Sequence, residues 1–174
     1  MGIGGLRLIT NFRVAGNVPN RKKGGWFPLA EGSHVSKYDE RCEESEQPYL
    51  LDPTNDADPS LLAFDEEGNA IPVPGADEWD TKRVEESIKR LKLNDHDALP
   101  TERRRLWQMM SKIIGEFLDA KQKYNPKTNP MVKATIEEKA RQIRDLTRPD
   151  AELSAVARWC VLFRNDGRLS RLIS

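Results

Sequence analysis

The sequence offers little with which to build a membrane span, a disulfide framework or a zinc site. None of its 174 residues belongs to an apolar run near the roughly 18 residues that a bilayer-spanning helix needs. Its start lacks the charged segment and the long apolar stretch of a secretory signal. The two cysteines, Cys42 and Cys160, lie far apart and form no metal-type pair. We therefore expect a cytoplasmic protein with free thiols and no membrane partner.

Histidine is equally scarce, which limits the candidates for a general base or a metal ligand. His34 follows a Gly-Ser pair, and His96 lies between Asp95 and Asp97, where two carboxylates would suit a cation. We interpret both histidines as surface residues of turns.

A second acidic cluster superficially resembles a calcium-binding loop. Asp52, Asp56 and Asp58 alternate along the chain, but the glycine and glutamate that such a loop needs at its sixth and twelfth positions are absent. We predict instead a turn held by bonds from side chains to the backbone.

The net charge of zero conceals strong segregation of charge along the chain. Residues 1–37 hold six Lys and Arg against one acidic residue (+5), residues 38–80 hold one against fourteen (−13), and residues 81–174 hold twenty-one against thirteen (+8). A basic head is typical of phosphate binding. The alternative is that the segments neutralise one another or are simply solvated.

Periodicity predicts a hairpin followed by helices. Apolar residues flank Glu66-Glu-Gly-Asn within residues 61–73, which is typical of a β-hairpin. Apolar residues at three- and four-residue spacing predict helices over about 81–92 and 100–123, a third from Pro130 and a fourth capped by Asp150. The predicted buried faces are Val84, Ile88 and Leu91; Leu106, Met110, Ile113 and Phe117; Ile136, Ala140 and Ile143; and Leu153, Val156 or Ala157, and Cys160.

The head carries the most suggestive chemistry. Two amides, Asn11 and Asn20, lie on either side of a Gly/Pro turn, and Trp26 and Phe27 follow. Cations interleaved with aromatic rings suit nucleic acid, because the cations contact phosphates and the rings can stack on bases. The alternative is an ordinary solvated turn. The four candidate phosphate contacts are Arg13, Arg21, Lys22 and Lys23.

These motifs resemble a family of HNH endonucleases from bacterial anti-phage systems, of the Septu type and associated with some retrons. In that family a strand of the form Asn-(Leu/Tyr/Phe)-Arg-Leu-Ala leads into Cys-x-x-Cys-Asn-x-x-Lys-Gly and then Phe-Pro-Leu. The resemblance covers roughly residues 6–162. Its matching segments here are Asn11-Phe-Arg-Val-Ala, Asn20-Arg-Lys-Lys-Gly, Phe27-Pro-Leu, Leu50-Leu-Asp-Pro-Thr-Asn-Asp-Ala-Asp-Pro, Leu62-Ala-Phe-Asp-Glu-Glu-Gly-Asn-Ala, Leu91-Lys-Leu-Asn, Glu102-Arg-Arg-Arg and Ala151-Glu-Leu-Ser-Ala-Val-Ala-Arg.

The resemblance implies a fold and a domain division. We expect an α+β protein with a small, incomplete ββα-like head, a short β-hairpin and a bundle of about four helices. The expected domains are residues 1–48, a degenerate HNH-like head with an acidic loop, and residues 49–174, the hairpin with the helical domain.

The resemblance also implies site residues, with two departures. Asn11 matches the central Asn of the family and Asn20 matches the helix position. The Asp-His pair that the family places on the preceding strand has no counterpart among the ten residues before Asn11. The second Cys-x-x-Cys falls on Gly16 and Pro19, so no thiolate remains there for a structural zinc. Mg²⁺ or Mn²⁺ would then bind only where the site is completed.

Three hypotheses follow for the function. The first is a truncated or degenerate HNH-type protein that binds DNA or RNA, or docks onto a partner ATPase subunit as the resemblance implies. The second is an active HNH endonuclease completed by missing N-terminal residues or by a partner subunit. The third, from a different class, is a protein-binding helical module.

We predict that the purified chain does not cleave DNA above background with Mg²⁺ or Mn²⁺. In-line attack on a phosphodiester needs an activated water and a metal-stabilised leaving oxygen. General-base catalysis alone contributes about 10²–10⁴-fold, and neither Asn11 nor Asn20 can accept a proton near neutral pH. Gel analysis of plasmid DNA measures this. Metal-dependent cleavage that His34→Ala abolishes would refute the prediction.

Overall fold

The structure, a computed structural model, describes residues 28–33, 46–55, 57–95, 98–125 and 130–173. It confirms the α+β prediction, with an antiparallel two-stranded hairpin followed by helices. After one turn of 3₁₀ helix, the elements in chain order are β1 (Leu62–Phe64), β2 (Ala70–Pro72), α1 (Glu78–Leu91), α2 (Leu99–Lys123), α3 (Pro130–Thr147), α4 (Ser154–Leu162) and α5 (Gly167–Ile173).

The chain divides into two compact units. The first unit runs to Leu62 and resumes over Ile71–Leu93, while the second comprises Ala63–Ala70 and Asn94–Ser174. The second unit therefore contains the tip of the hairpin and helices α2–α5. The predicted boundary after residue 48 stays a prediction, because residues 1–27 and 34–45 lie outside the described residues.

In the first unit, α1 begins three residues earlier than its apolar stripe predicts. The carboxylate of Asp77 accepts a hydrogen bond from the amide of Asp80 at 2.7 Å, which caps the helix and starts it at Glu78. Val84 is fully buried, whereas Ile88 and Leu91 of the same stripe are half-buried. The segment at Leu51 is fixed to α1, because its amide donates to Ser87 Oγ at 2.9 Å.

A buried ion pair also fixes this unit. The guanidinium of Arg83 donates twice to the carboxylate of Asp58, at 2.9 and 2.6 Å, and its Nε donates to the carbonyl of Pro48. Asp58 also accepts the amide of Asp52 at 2.7 Å. Nearly every acceptor site of this carboxylate is thus satisfied. Asp58 is only 4% exposed, and a buried charge needs such partners.

The second unit has one hydrophobic core, built by four helices. Helix α2 packs against α3 and α4, and α5 closes the other side of α3 and α4. Of the predicted α2 stripe, Ile113 is half-buried while its neighbour Ile114 is fully buried. The core residues are Leu106, Trp107, Met110, Ile114, Phe117 and Ala120 of α2; Ile136, Ala140 and Ile143 of α3; Val156, Ala157, Cys160 and Val161 of α4; and Leu169 of α5.

The predicted cap of the fourth helix was wrong. Both carboxylate oxygens of Asp150 accept hydrogen bonds from the guanidinium of Arg148, at 3.0 and 2.9 Å, so they are used within the preceding turn. Helix α4 instead begins at Ser154, after Leu153 in a left-handed conformation with φ of 54°.

Helix α5 was not predicted. It is short, and Asp166 starts it by accepting the amide of Arg168 at 2.8 Å. The helix buries Leu169 completely against the core.

The hairpin tip is seated closely on the start of α2. Asp65 holds the turn, because its carbonyl accepts the amide of Gly68 and its carboxylate accepts the amide of Asn69 at 2.7 Å. Gly68 has φ of +82°, and a Cβ there would lie 2.3 Å from the carbonyl oxygen of Pro100. The turn therefore needs glycine for its conformation and for the space that α2 leaves.

We predict that Gly68→Ala lowers the free energy of unfolding by about 2–4 kcal/mol, since the added methyl group meets backbone atoms that cannot move aside. Chemical denaturation measures the change. The matched control is Gly75→Ala, where φ is +87° but no atom lies within 4 Å of the added Cβ. Gly75→Ala should therefore lower the free energy of unfolding by about 1 kcal/mol, which is the cost of placing alanine at a positive φ. Equal losses for both variants would disprove the close seating.

Candidate nucleic-acid interface

The sequence-predicted site residues lie outside the described residues. This holds for Asn11 and Asn20, for the histidines His34 and His96, and for the four basic residues Arg13, Arg21, Lys22 and Lys23. Their assignments stay predictions. The candidate site is therefore built from the described helices and the hairpin.

The predicted turn of the acidic cluster is confirmed around Asp52, while Asp56 lies outside the described residues. Asp52 Oδ1 accepts the amide of Thr54 at 2.9 Å and its hydroxyl at 2.7 Å. Asp58 is bound to Arg83, an ion pair that sequence spacing did not indicate. Within the described ranges, no group of three His, Cys, Asp or Glu side chains is arranged to hold a metal ion.

The three consecutive arginines at the start of α2 point in different directions. Arg103 is 5% exposed, lies 4.9 Å from the ring centre of Phe64, and has a pKa lowered by burial. Arg104 donates from Nε to the carbonyl of Glu67 at 3.1 Å. Arg105 forms an exposed ion pair with Glu102. Arg105 is therefore solvated, whereas Arg103 is buried.

A groove runs along one face of α2 and is bounded at one end by the hairpin turn. It encloses about 480 Å³. Its α2 residues recur at positions i, i+3, i+4 and i+7, which places them on one side of the helix. We call this the α2 groove, defined by Glu66, Glu67, Arg104, Trp107, Gln108 and Ser111.

An exposed aromatic ring stands beside the α2 groove. The side chain of Phe163, in the turn after α4, is 47% exposed and contacts Trp107 with ring centroids 5.9 Å apart. It also contacts Trp159 at 5.7 Å. Trp107 is 9% exposed, so it is anchored in the core and supports the ring of Phe163. The exposed ring is therefore held in place by two tryptophans.

The far end of the α2 groove carries a cation. Arg164 donates from Nη2 to Ser111 Oγ at 3.1 Å while its side chain stays exposed. The thiol of Cys160 lies 3.5 Å from the same hydroxyl and donates to the carbonyl of Trp107 at 3.7 Å. Burial raises the pKa of this thiol, so it stays protonated and serves as a donor rather than as a nucleophile.

A weak signal for this site is present in the sequence. The stripe of Arg104, Trp107, Gln108 and Ser111 has the same helical spacing as the apolar stripe beside it, but mixed polarity conceals it. The contribution of Phe163 and Arg164 was not readable, because they lie more than fifty residues after Trp107 and Ser111, which they contact.

A second groove, in the first unit, is a poorer candidate. It encloses about 450 Å³ and is lined by Glu46, Gln47, Pro48, Trp79 and Arg83. The cation in its wall is bound to Asp58 and to the carbonyl of Pro48. Trp79 packs on Tyr49, with ring centroids 5.1 Å apart. The guanidinium of Arg83 is thus used to hold the unit together.

Comparison with protein-family models, with curated proteins and with solved structures finds no match. Among the described residues, no helix combines the length and the apolar character that crossing a bilayer requires.

Asp166 follows the turn that presents Phe163 and Arg164 and starts α5. Hydrogen bonds from the side chain and the amide of Arg168 lower the pKa of Asp166 from 3.8 to about 2. A depressed carboxylate pKa stabilises the folded state above the unfolded value, and this contribution is lost as pH falls from about 4 through 2.

We predict that an NMR titration of the Asp166 carboxyl has its midpoint near pH 2. In Arg168→Gln, the midpoint rises towards the ordinary value, because the side-chain hydrogen bonds to the guanidinium are the main cause of the shift. Arg141→Gln, which changes an arginine paired with Glu138, is the control and leaves the Asp166 midpoint unchanged. A wild-type midpoint near 4 would show that the ion pair does not form.

Proposed function

We propose that this protein binds nucleic acid, as its resemblance to HNH-type defence nucleases implies. The observation that carries the proposal is the ring of Phe163, exposed and supported by Trp107, with the exposed cation of Arg164 next to it in the chain. An exposed aromatic ring beside a guanidinium is the combination that nucleic-acid surfaces use, since the ring stacks on a base and the cation contacts a phosphate.

The arginines of the C-terminal helices extend the same argument. Arg168 and Arg171 on α5 are both exposed. From residue 158 to the end, the chain holds four arginines, Arg158, Arg164, Arg168 and Arg171, against one acidic residue, Asp166. This local excess of positive charge supports attraction of a polyanion.

The basic head is the second part of the proposal. Arg13, Arg21, Lys22 and Lys23 would contact phosphates, and Asn11 and Asn20 would occupy the residual HNH positions. Two cationic segments, one at each end of the sequence, would increase affinity because each phosphate contact releases counterions.

One observation favours a second candidate function, docking of a protein partner such as an ATPase subunit. Leu162 and Phe163 are consecutive and both exposed, at 43% and 47%. A patch of exposed apolar side chains beside an arginine is also typical of protein-binding surfaces. Salt dependence of binding separates the two candidates.

We predict that the protein binds a labelled oligonucleotide at low salt and that affinity falls steeply as salt rises. Arg164→Gln should weaken binding to every sequence about equally and reduce the slope of log affinity against log salt by about one. Fluorescence anisotropy across a salt series measures both quantities. The same experiment on Arg21→Ala/Lys22→Ala/Lys23→Ala tests the head.

The matched control is Arg148→Gln, which removes an exposed arginine bound to Asp150 in the turn before α4. It should leave the slope close to that of the wild type. If the wild-type protein binds no oligonucleotide at low salt, the nucleic-acid proposal is wrong and protein docking becomes the better account.

A further inference from the structure

We infer that the α2 groove holds one unpaired nucleotide whose base carries an exocyclic amino group. This inference rests on the proposed function and names the chemistry of its ligand. Three features of the groove support it: the exposed ring beside it, the opposite character of its two ends, and its length.

The exposed ring of Phe163 can stack only on a base that has an accessible face. Phe163 is fixed by its contacts with Trp107 and Trp159, so little conformational freedom is lost when a planar ligand stacks on it. Bases within a duplex have both faces covered by their neighbours. A ring on the surface of a helical unit can therefore stack on a base of a single strand, a loop or a free nucleotide, but not on the interior of a duplex.

The end of the α2 groove at the hairpin turn is the more acidic one, although Arg104 also lies there and is bound through Nε to the carbonyl of Glu67. Glu66 and Glu67 line the end at the hairpin turn, and ionised carboxylates accept hydrogen bonds but donate none. Arg164 stands at the other end, held by Ser111. A ligand that satisfies both ends carries a hydrogen-bond donor at one end and an anion at the other.

The length of the groove agrees with this assignment. Arg104, next to the glutamate end, and Ser111, at the arginine end, are seven residues apart on α2, which corresponds to about 10 Å along the helix axis. Gln108 lies between them and can both donate to and accept from the edge of a base.

These requirements select among the bases. Cytosine, adenine and guanine carry an amino group that can donate to Glu66 or Glu67. Thymine and uracil carry no amino group, and their one ring donor, N3–H, lies between two carbonyl oxygens that a carboxylate repels. The phosphate of the same nucleotide would contact Arg164. The ligand could be part of a strand or a free nucleotide, since the two share this chemistry.

The test measures binding of labelled 12-residue oligo(dC), oligo(dT) and a mixed-sequence duplex by fluorescence anisotropy at low salt. We expect oligo(dC) to bind about tenfold more tightly than oligo(dT), which is the discrimination that one good base contact provides. We expect the duplex to bind more weakly than oligo(dC).

A competition experiment with unlabelled CMP distinguishes the two sources of the ligand. Displacement of oligo(dC) by CMP would identify a mononucleotide ligand, and tight oligo(dC) binding without displacement would identify a strand. Both results support the inference.

Variants separate the contributions of the ring and of the carboxylates. Phe163→Ala should weaken oligo(dC) binding by about five- to a hundredfold through lost stacking, whereas Phe163→Trp should retain it. The double variant Glu66→Gln/Glu67→Gln should remove the preference for oligo(dC) over oligo(dT), because an amide can donate as well as accept. Met109→Ala removes another exposed apolar side chain from α2 and should change neither result.

Two outcomes would overturn the inference in different ways. Equal binding of all three nucleic acids, unaffected by Phe163→Ala, would refute the α2 groove as a base site and leave nucleic-acid binding standing. No binding of any oligonucleotide at low salt would refute both proposals and favour a protein partner. Thermal unfolding of each variant confirms that a lost signal does not reflect a lost fold.

Discussion

Helix α2 buries one long face, from Leu106 to Ala120, beneath α3 and α4, and the rest of the second unit is arranged around this packing. Complete burial of a large apolar side chain contributes roughly 1.5–3 kcal/mol. Met110, Ile114 and Phe117 are each buried almost completely. The orientation of α2 is therefore fixed, and this also fixes the position of the helix residues that line the α2 groove.

This constraint gives the candidate site its rigidity. Trp107 belongs to the core and to the α2 groove at once, so the ring of Phe163 rests on a side chain that cannot rotate away. The hairpin turn is held on the same helix by Gly68, which fits against Pro100, and by Arg104, which binds the carbonyl of Glu67. A binding surface on rigid elements needs less ordering when a ligand arrives.

The charged residues of the second unit divide into two groups. Several arginines are bound to acidic side chains close by in sequence, as Arg148 is to Asp150 and Arg168 is to Asp166. Exposed pairs of this kind contribute little stability. Arg164 differs, because its partner is the neutral hydroxyl of Ser111 and its charge is not compensated by that contact. For this reason we assign the phosphate contact to Arg164.

The amino-acid sequence by itself determined the local features of the fold. The turn at Gly68, the helices α1 to α4 and most of their buried stripes were predictable, because they depend on spacing within about ten residues. Features that depend on which of several partners one side chain binds were not predictable from the sequence. Asp150 was expected to cap α4 but binds Arg148, and α5 depends on a cap at Asp166 together with the burial of Leu169.

The candidate site was decided by tertiary structure. The sequence showed basic and aromatic residues in the head, whose assignments stay predictions. It could not show that Glu67, Trp107 and Phe163 meet around one groove, because they come from a hairpin turn, a helix and a distant turn. Their proximity follows from the burial of α2, since the packing of its apolar face decides where the neighbouring stripe with Trp107 lies.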